Sequence, residues 1–81
     1  MYYVYRLTTT LDPKRHYTGF TTDLSNRFKA HNKGSNKPTA TYRPWKLVFY
    51  AAFEDKESAL DLERYLKTGS GKAFARKRLW K

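Results

Sequence analysis

The sequence has no cysteine, only two histidines, and seven acidic residues against 17 lysines and arginines. Without cysteine there is no disulfide framework and no thiolate zinc site, and two histidines cannot complete a metal shell without carboxylate help. Long apolar runs are missing as well. The longest, Leu47 to Phe53, is seven residues, far below the roughly 20 that a membrane-spanning helix needs. The opening Met1-Tyr2-Tyr3-Val4-Tyr5 lacks the basic region and cleavage site of a signal peptide. The expectation is a soluble, cytoplasmic protein with no membrane partner. No internal repeat or low-complexity segment interrupts the chain, and at 81 residues a second core would leave each half too short to bury enough apolar surface. One domain over 1–81 is expected.

What the chain does have is aromatic mass and positive charge. Aromatics make up 17% of it, which gives a large buried area per side chain and stability without cross-links. The formal net charge of +10 is unevenly spread: residues 54–63 hold five of the seven acids, whereas residues 64–81 hold seven basic residues and no acid. So strong a field on so small a surface points to a polyanionic partner. Nucleic acid is favoured over phospholipid, because no long apolar helix face flanked by tryptophan is present.

Local signals divide the chain into short elements. Tyr2 to Thr8 and Arg15 to Thr21 are β-rich and flank turn chemistry around Leu11-Asp12-Pro13-Lys14, which predicts a hairpin. Thr22 or Asp23 caps a helix that Gly34 ends. A polar loop follows from Ser35 to Pro44, then a third strand from Trp45 to Phe53, apolar on both faces and so expected to be covered on both. Asp55 caps a second helix to Thr68, closed by Gly69, and Ser70 opens a last basic helix. The order is ββαβαα.

Polar residues fall where the pattern wants apolar ones. In the first helix Leu24, Arg27, Phe28 and His31 form the core-facing stripe; in the second, Glu63 sits at the edge of the stripe Ala59, Leu62 and Leu66. Charges near a core are costly unless paired or metal-bound. Two readings follow: an Arg27–Glu63 salt bridge beside a satisfied half-buried histidine, or a functional site. In the hairpin, Tyr3, Tyr5 and Leu7 alternate on one face, and Tyr17 precedes Gly19 by two residues. A strand glycine signals close approach by a ligand or another backbone. Tyr2, Tyr3 and Tyr50 read as core tyrosines with wet hydroxyls.

Tyr3-Val4-Tyr5 and Tyr17-Thr18-Gly19 resemble the paired strand motifs of the GIY-YIG nuclease superfamily. Tyr17, Arg27, His31 and Glu63 fall at spacings similar to that family's tyrosine, arginine, histidine-or-tyrosine and metal-binding glutamate. His31-Asn32-Lys33-Gly34, Pro44-Trp45-Lys46-Leu47-Val48 and Glu63-Arg64-Tyr65-Leu66-Lys67 resemble the small stand-alone branch, related to the N-terminal module of the excinuclease incision subunit. Three features depart from the pattern: the first motif reads Tyr-Val-Tyr in place of Gly-Ile-Tyr, the second has Thr18 in place of isoleucine, and Phe20 stands where repair-enzyme relatives carry a lysine.

The resemblance implies an α+β fold, a small three-stranded antiparallel sheet flanked by helices. It also implies a metal-dependent endonuclease hydrolysing phosphodiester bonds in DNA, structured or damaged DNA included. Glu63 would hold one Mg²⁺ or Mn²⁺, and Arg27 would clamp the scissile phosphate. Tyr17 would orient the attacking water or take its proton; a free phenol titrates near ~10, so this requires nearby cations. His31 would accept the proton directly or through Tyr17, and Tyr5 would position the network. Lys29, Lys33, Lys37, Arg43, Lys67, Lys72, Arg76, Lys77 and Arg78 would neutralise nucleic-acid phosphates. No sequence-reading motif is present, so specificity would come from a partner protein, a homodimer or substrate shape. Two alternatives stand beside the enzyme: a nucleic-acid-binding module without efficient turnover, and an adaptor docking on an acidic protein through the C-terminal helix.

Overall fold

The computed structural model describes residues 1–12, 14–35 and 37–80. The hairpin forms: β1 (Tyr2–Thr9) pairs antiparallel with β2 (His16–Thr21). In the turn, Asp12 accepts from the Lys14 N–H at 3.0 Å; the intervening Pro13 lies outside the described residues. Strand β3 (Trp45–Phe53) adds to the other side of β1, giving a three-stranded antiparallel sheet of order β2-β1-β3. Helices α1 (Leu24–Lys33), α2 (Lys37–Ala40), α3 (Lys56–Leu66) and α4 (Gly69–Arg78) complete the α+β fold. The one addition to the expected order is α2, a single turn inside the polar loop.

A central strand needs cover on both faces, and β1 has it. Val4 points to one side and is buried with Ala59 and Leu66 of α3 and Ala75 of α4. Tyr5 and Leu7 point to the other and are buried with Trp45, flanked by Leu24 and Phe28 of α1. Two small cores thus share one sheet. Each fully buried Val or Leu contributes about 1.5–3 kcal/mol.

Local chemistry sets the helix ends. The Asp23 carboxylate accepts from the Asn26 N–H at 3.2 Å, and Gly34 ends α1 with φ 81°, where a side chain would be strained. The Asp55 carboxylate accepts from the Ser58 N–H at 2.9 Å and starts α3. The next boundary differs from expectation. Helix α3 stops at Leu66, and Gly69 is the first residue of α4, because the Thr68 hydroxyl accepts from the Gly71 N–H at 3.0 Å and caps the new helix.

Strand β3 is not covered on both faces. Its odd-numbered residues are buried or half-buried, while Lys46, Val48, Tyr50 and Ala52 are exposed, Tyr50 by 56%. A bulge makes the pattern legible: Leu47 pairs with Leu7 but Phe49 pairs with Arg6, leaving Val48 as the extra residue. Trp45 and Leu47 therefore enter the core under α1, whereas Phe53 enters the one under α3 and α4, and Phe49 packs edge-on against Trp80. Tyr50 is a surface residue rather than a core one; Tyr2 and Tyr3 are half-buried as expected. Among the described residues, no helix is long and apolar enough to cross a membrane.

Candidate active site

The register places Gly19 opposite Tyr5. A Cβ on Gly19 would lie 2.6 Å from the Tyr5 hydroxyl oxygen and 2.8 Å from Cε2 of Tyr17. The close approach signalled by this strand glycine is made by two tyrosine rings. Their centroids are 6.1 Å apart.

His31 completes the group from α1. It is fully buried, with its ring centroid 4.9 Å from that of Tyr17 and 5.8 Å from that of Tyr5. Nε2 is 2.8 Å from the Tyr5 hydroxyl, and Nδ1 is 2.7 Å from the Thr39 hydroxyl of α2. Burial, reinforced by the Arg27 charge, holds its pKa below the usual histidine value, so the imidazole is neutral at pH 7. Burial also pushes the Tyr5 phenol well above its usual range, helped by Tyr17 and opposed by Arg27. A protonated Tyr5 donates to Nε2, which leaves the imidazole proton on Nδ1, facing Thr39.

Both ring nitrogens of His31 have hydrogen-bond partners and the side chain is closed to solvent. Its hydrogen bond runs to Tyr5, while its relation to Tyr17 is ring contact. Thr39, which fixes the far side of the ring, was not among the sequence candidates. A lone threonine in a polar loop carries no periodic signal, and only the turn of α2, tied by the Trp45 indole N–H donating to the Thr39 carbonyl at 2.8 Å, brings it inward.

Arg27 lies one helical turn before His31 on the same face of α1; its side chain is exposed, yet close enough to Tyr5 for its charge to act on the phenol. Glu63 does not pair with it. Among the described residues the ion pairs are Arg64–Asp61 and Lys67–Glu63, the latter at 3.2 Å with the Glu63 side chain 19% exposed. The Arg27–Glu63 salt bridge of the bland reading is not formed. Lys67 and Tyr17 line one cavity of about 610 Å³, which sets Glu63 one ion pair behind its wall.

A family-type metal can be tested against this donor set. Among the described residues, no three His, Asp or Glu side chains gather into a metal cluster. A single carboxylate nevertheless suits a hard ion such as Mg²⁺ or Mn²⁺, which keeps several waters and takes substrate phosphate oxygens. Glu63 fits as its one protein ligand, in competition with the Lys67 ammonium.

The other basic candidates divide by environment. Lys29, Lys33, Lys77 and Arg78 are exposed, and Lys72 and Arg76 join Lys67 in the cavity wall. The Arg43 guanidinium donates to the Lys33 carbonyl at 2.8 Å and so is engaged at the C-terminal end of α1. The Lys37 side chain lies outside the described residues. Phe20 stacks on Tyr2 at 6.3 Å beside the core under α3 and α4. Arg6, another residue the sequence did not single out, also lines the cavity.

Comparison with known proteins agrees with this architecture. UPF0213 proteins of Streptococcus pyogenes serotypes M5 and M3 are each 42% identical to the chain over 52 residues, covering 63% of this chain and 56% of theirs. The chain thus spans little more than half the length of these curated relatives. The profile of the GIY-YIG catalytic domain matches residues 1–78, and the chain belongs to this family, whose fold is that of nucleases.

Proposed function

We propose that the chain is a divalent-metal-dependent endonuclease that hydrolyses phosphodiester bonds in DNA, with structured or damaged duplexes as substrates. The observation that carries this reading is the packing of Tyr5, Tyr17 and His31 around Gly19, with Arg27 beside them. Three successive elements, β1, β2 and α1, spend a glycine and a buried histidine on holding two phenols in place, which packing alone does not require.

Arg27 is always protonated and presents a planar fork, so it grips two oxygens of the scissile phosphate. The Tyr17 hydroxyl orients the attacking water or takes its proton. Tyr5, kept protonated by burial and fixed by His31, holds the Tyr17 ring against rotation; Tyr5, His31 and Thr39 are positioning residues. Glu63 would hold a Mg²⁺ or Mn²⁺ ion, which when bound would supply positive charge to stabilise the leaving oxygen.

The pairing of Glu63 with Lys67 favours a second reading, a nucleic-acid-binding module whose carboxylate is already satisfied. Cleavage assays separate the two. Nicked, flapped, branched and intact duplex DNA, and RNA, are incubated with Mg²⁺ or Mn²⁺ and wild-type or Glu63→Ala protein. The enzyme reading expects product from the wild type alone. Salt-sensitive binding that survives Glu63→Ala, with no product from either protein, establishes the module instead.

A further inference from the structure

The cavity of about 610 Å³ lies mainly on the sheet face opposite His31, between the strands and the helices α3 and α4. Arg6 follows Tyr5 on β1 and so points to this other face. The walls are cationic: Arg6, Lys67, Lys72 and Arg76 all line it, and of these four only Lys67 has an acidic partner among the described residues. Lys72 and Arg76 are one turn apart on α4 and share a face.

Arg6 is the most costly feature. Its Nε is buried and, among the described residues, has no hydrogen-bond acceptor. The guanidinium stacks 4.1 Å from the centroid of the Trp80 ring, which fixes its plane but supplies no acceptor for that N–H. Burial lowers its pKa from the ordinary guanidinium value, and the charges of Arg6 and Lys72 add to burial in lowering that of His16 at the same cavity. A buried guanidinium N–H without an acceptor among the described residues, in a wall that Lys72 and Arg76 also make cationic, carries a cost that an anion would recover.

We propose that this cavity is a phosphate-binding subsite that takes a backbone phosphate of the DNA next to the scissile linkage. The assignment rests on the nuclease reading for its ligand, and on Arg6, Lys72 and Arg76 for its chemistry. A planar guanidinium fork and two further cations around a concave space suit a tetrahedral oxyanion. Adjacency follows from the cavity's rim, because Tyr17 lines it and Lys67 ties it to Glu63.

The test is NMR on the ¹⁵N-labelled protein with EDTA present, following the Arg6 Nε–H and Trp80 indole signals. The probes are duplex DNA, inorganic phosphate and poly-glutamate. Both signals should shift with DNA, in wild type and in Glu63→Gln alike, and shift in the same direction with millimolar phosphate. Lys72→Gln/Arg76→Gln, at exposed helix positions, should weaken DNA binding at least tenfold and lower the salt slope by about one to two. Arg6→Gln should abolish the phosphate response; if it unfolds, the α4 double variant decides alone. An Arg6 signal unmoved at saturating DNA, or wild-type affinity and slope in the double variant, overturns the subsite. An equal response to poly-glutamate overturns the phosphate assignment. A protein that cleaves nothing while Arg6 still responds to DNA overturns the nuclease reading and leaves the phosphate site standing.

Discussion

Gly19→Ala is the most informative packing perturbation, because one methyl group would meet both phenols. The added carbon would sit 2.6 Å from the Tyr5 hydroxyl oxygen, 2.7 Å from Tyr5 Cζ and 2.8 Å from Tyr17 Cε2. Tyr5 is 1% exposed and bonded to His31, so its ring cannot retreat and keep that bond. Overpacking costs about 1–3 kcal/mol, and separating the hydroxyl from the buried imidazole adds about 1–3 kcal/mol. Restricting the unfolded chain returns about 0.4–1 kcal/mol. The net expectation is a loss of about 1–5 kcal/mol, centred on about 3 kcal/mol, which for a chain of this length lowers Tm by about 12–24 °C at the central value. Circular-dichroism melts of wild type, Gly19→Ala, Tyr5→Phe and the double variant measure it. Removing the hydroxyl relieves one of the three contacts, so the two substitutions should couple by at least about 0.5 kcal/mol. A Tm for Gly19→Ala within about 2 °C of wild type, or strict additivity, would refute the packing argument.

Thr39→Val leaves Nδ1 of the buried His31 without its partner and should cost about 1–3 kcal/mol, read as a drop in the urea midpoint at unchanged slope. Folding stability should also fall on acidification. The folded pKa of His31 is depressed, so the unfolded chain binds the proton more readily below about pH 6.5; stability is full above that value and declines as pH falls towards the folded one. His16 is depressed too and contributes with the same sign. Urea midpoints at pH 7.5, 6.5 and 5.5 check this, and an equal or higher midpoint at the acid end would contradict it. Tyr50→Ser lies on the uncovered part of β3 and should change stability by no more than about 0.5 kcal/mol; a loss above about 2 kcal/mol would mean that this face is covered after all.

Much of the architecture could be read from local chemistry, since caps and strand runs act over a few residues. Asp23, Gly34 and Asp55 bound their helices as expected, and the third strand runs from Trp45 to Phe53 as expected. The register that pairs Tyr5 with Gly19 also follows from a short hairpin. The missed features depend on tertiary placement. An unbroken apolar run can mean a strand covered on both faces, but here Val48 is a bulge that switches the buried residues from one core to the other. Thr68 could cap or terminate, and only the close packing of α4 on α3 decides it. Thr39 and Arg6 gain their roles from what the fold sets against them, the buried imidazole in one case and the indole of Trp80 in the other.

The central claim is that Tyr17 acts on the water attacking a phosphodiester. Its most direct test is the single-turnover rate of DNA cleavage in Mg²⁺ or Mn²⁺ by wild type and by Tyr17→Phe, with the melting temperature of each recorded alongside. The account predicts cleavage by the wild type and a fall of about 10²–10⁴-fold for the variant without loss of folding. A folded Tyr17→Phe protein that cleaves at the wild-type rate would contradict it.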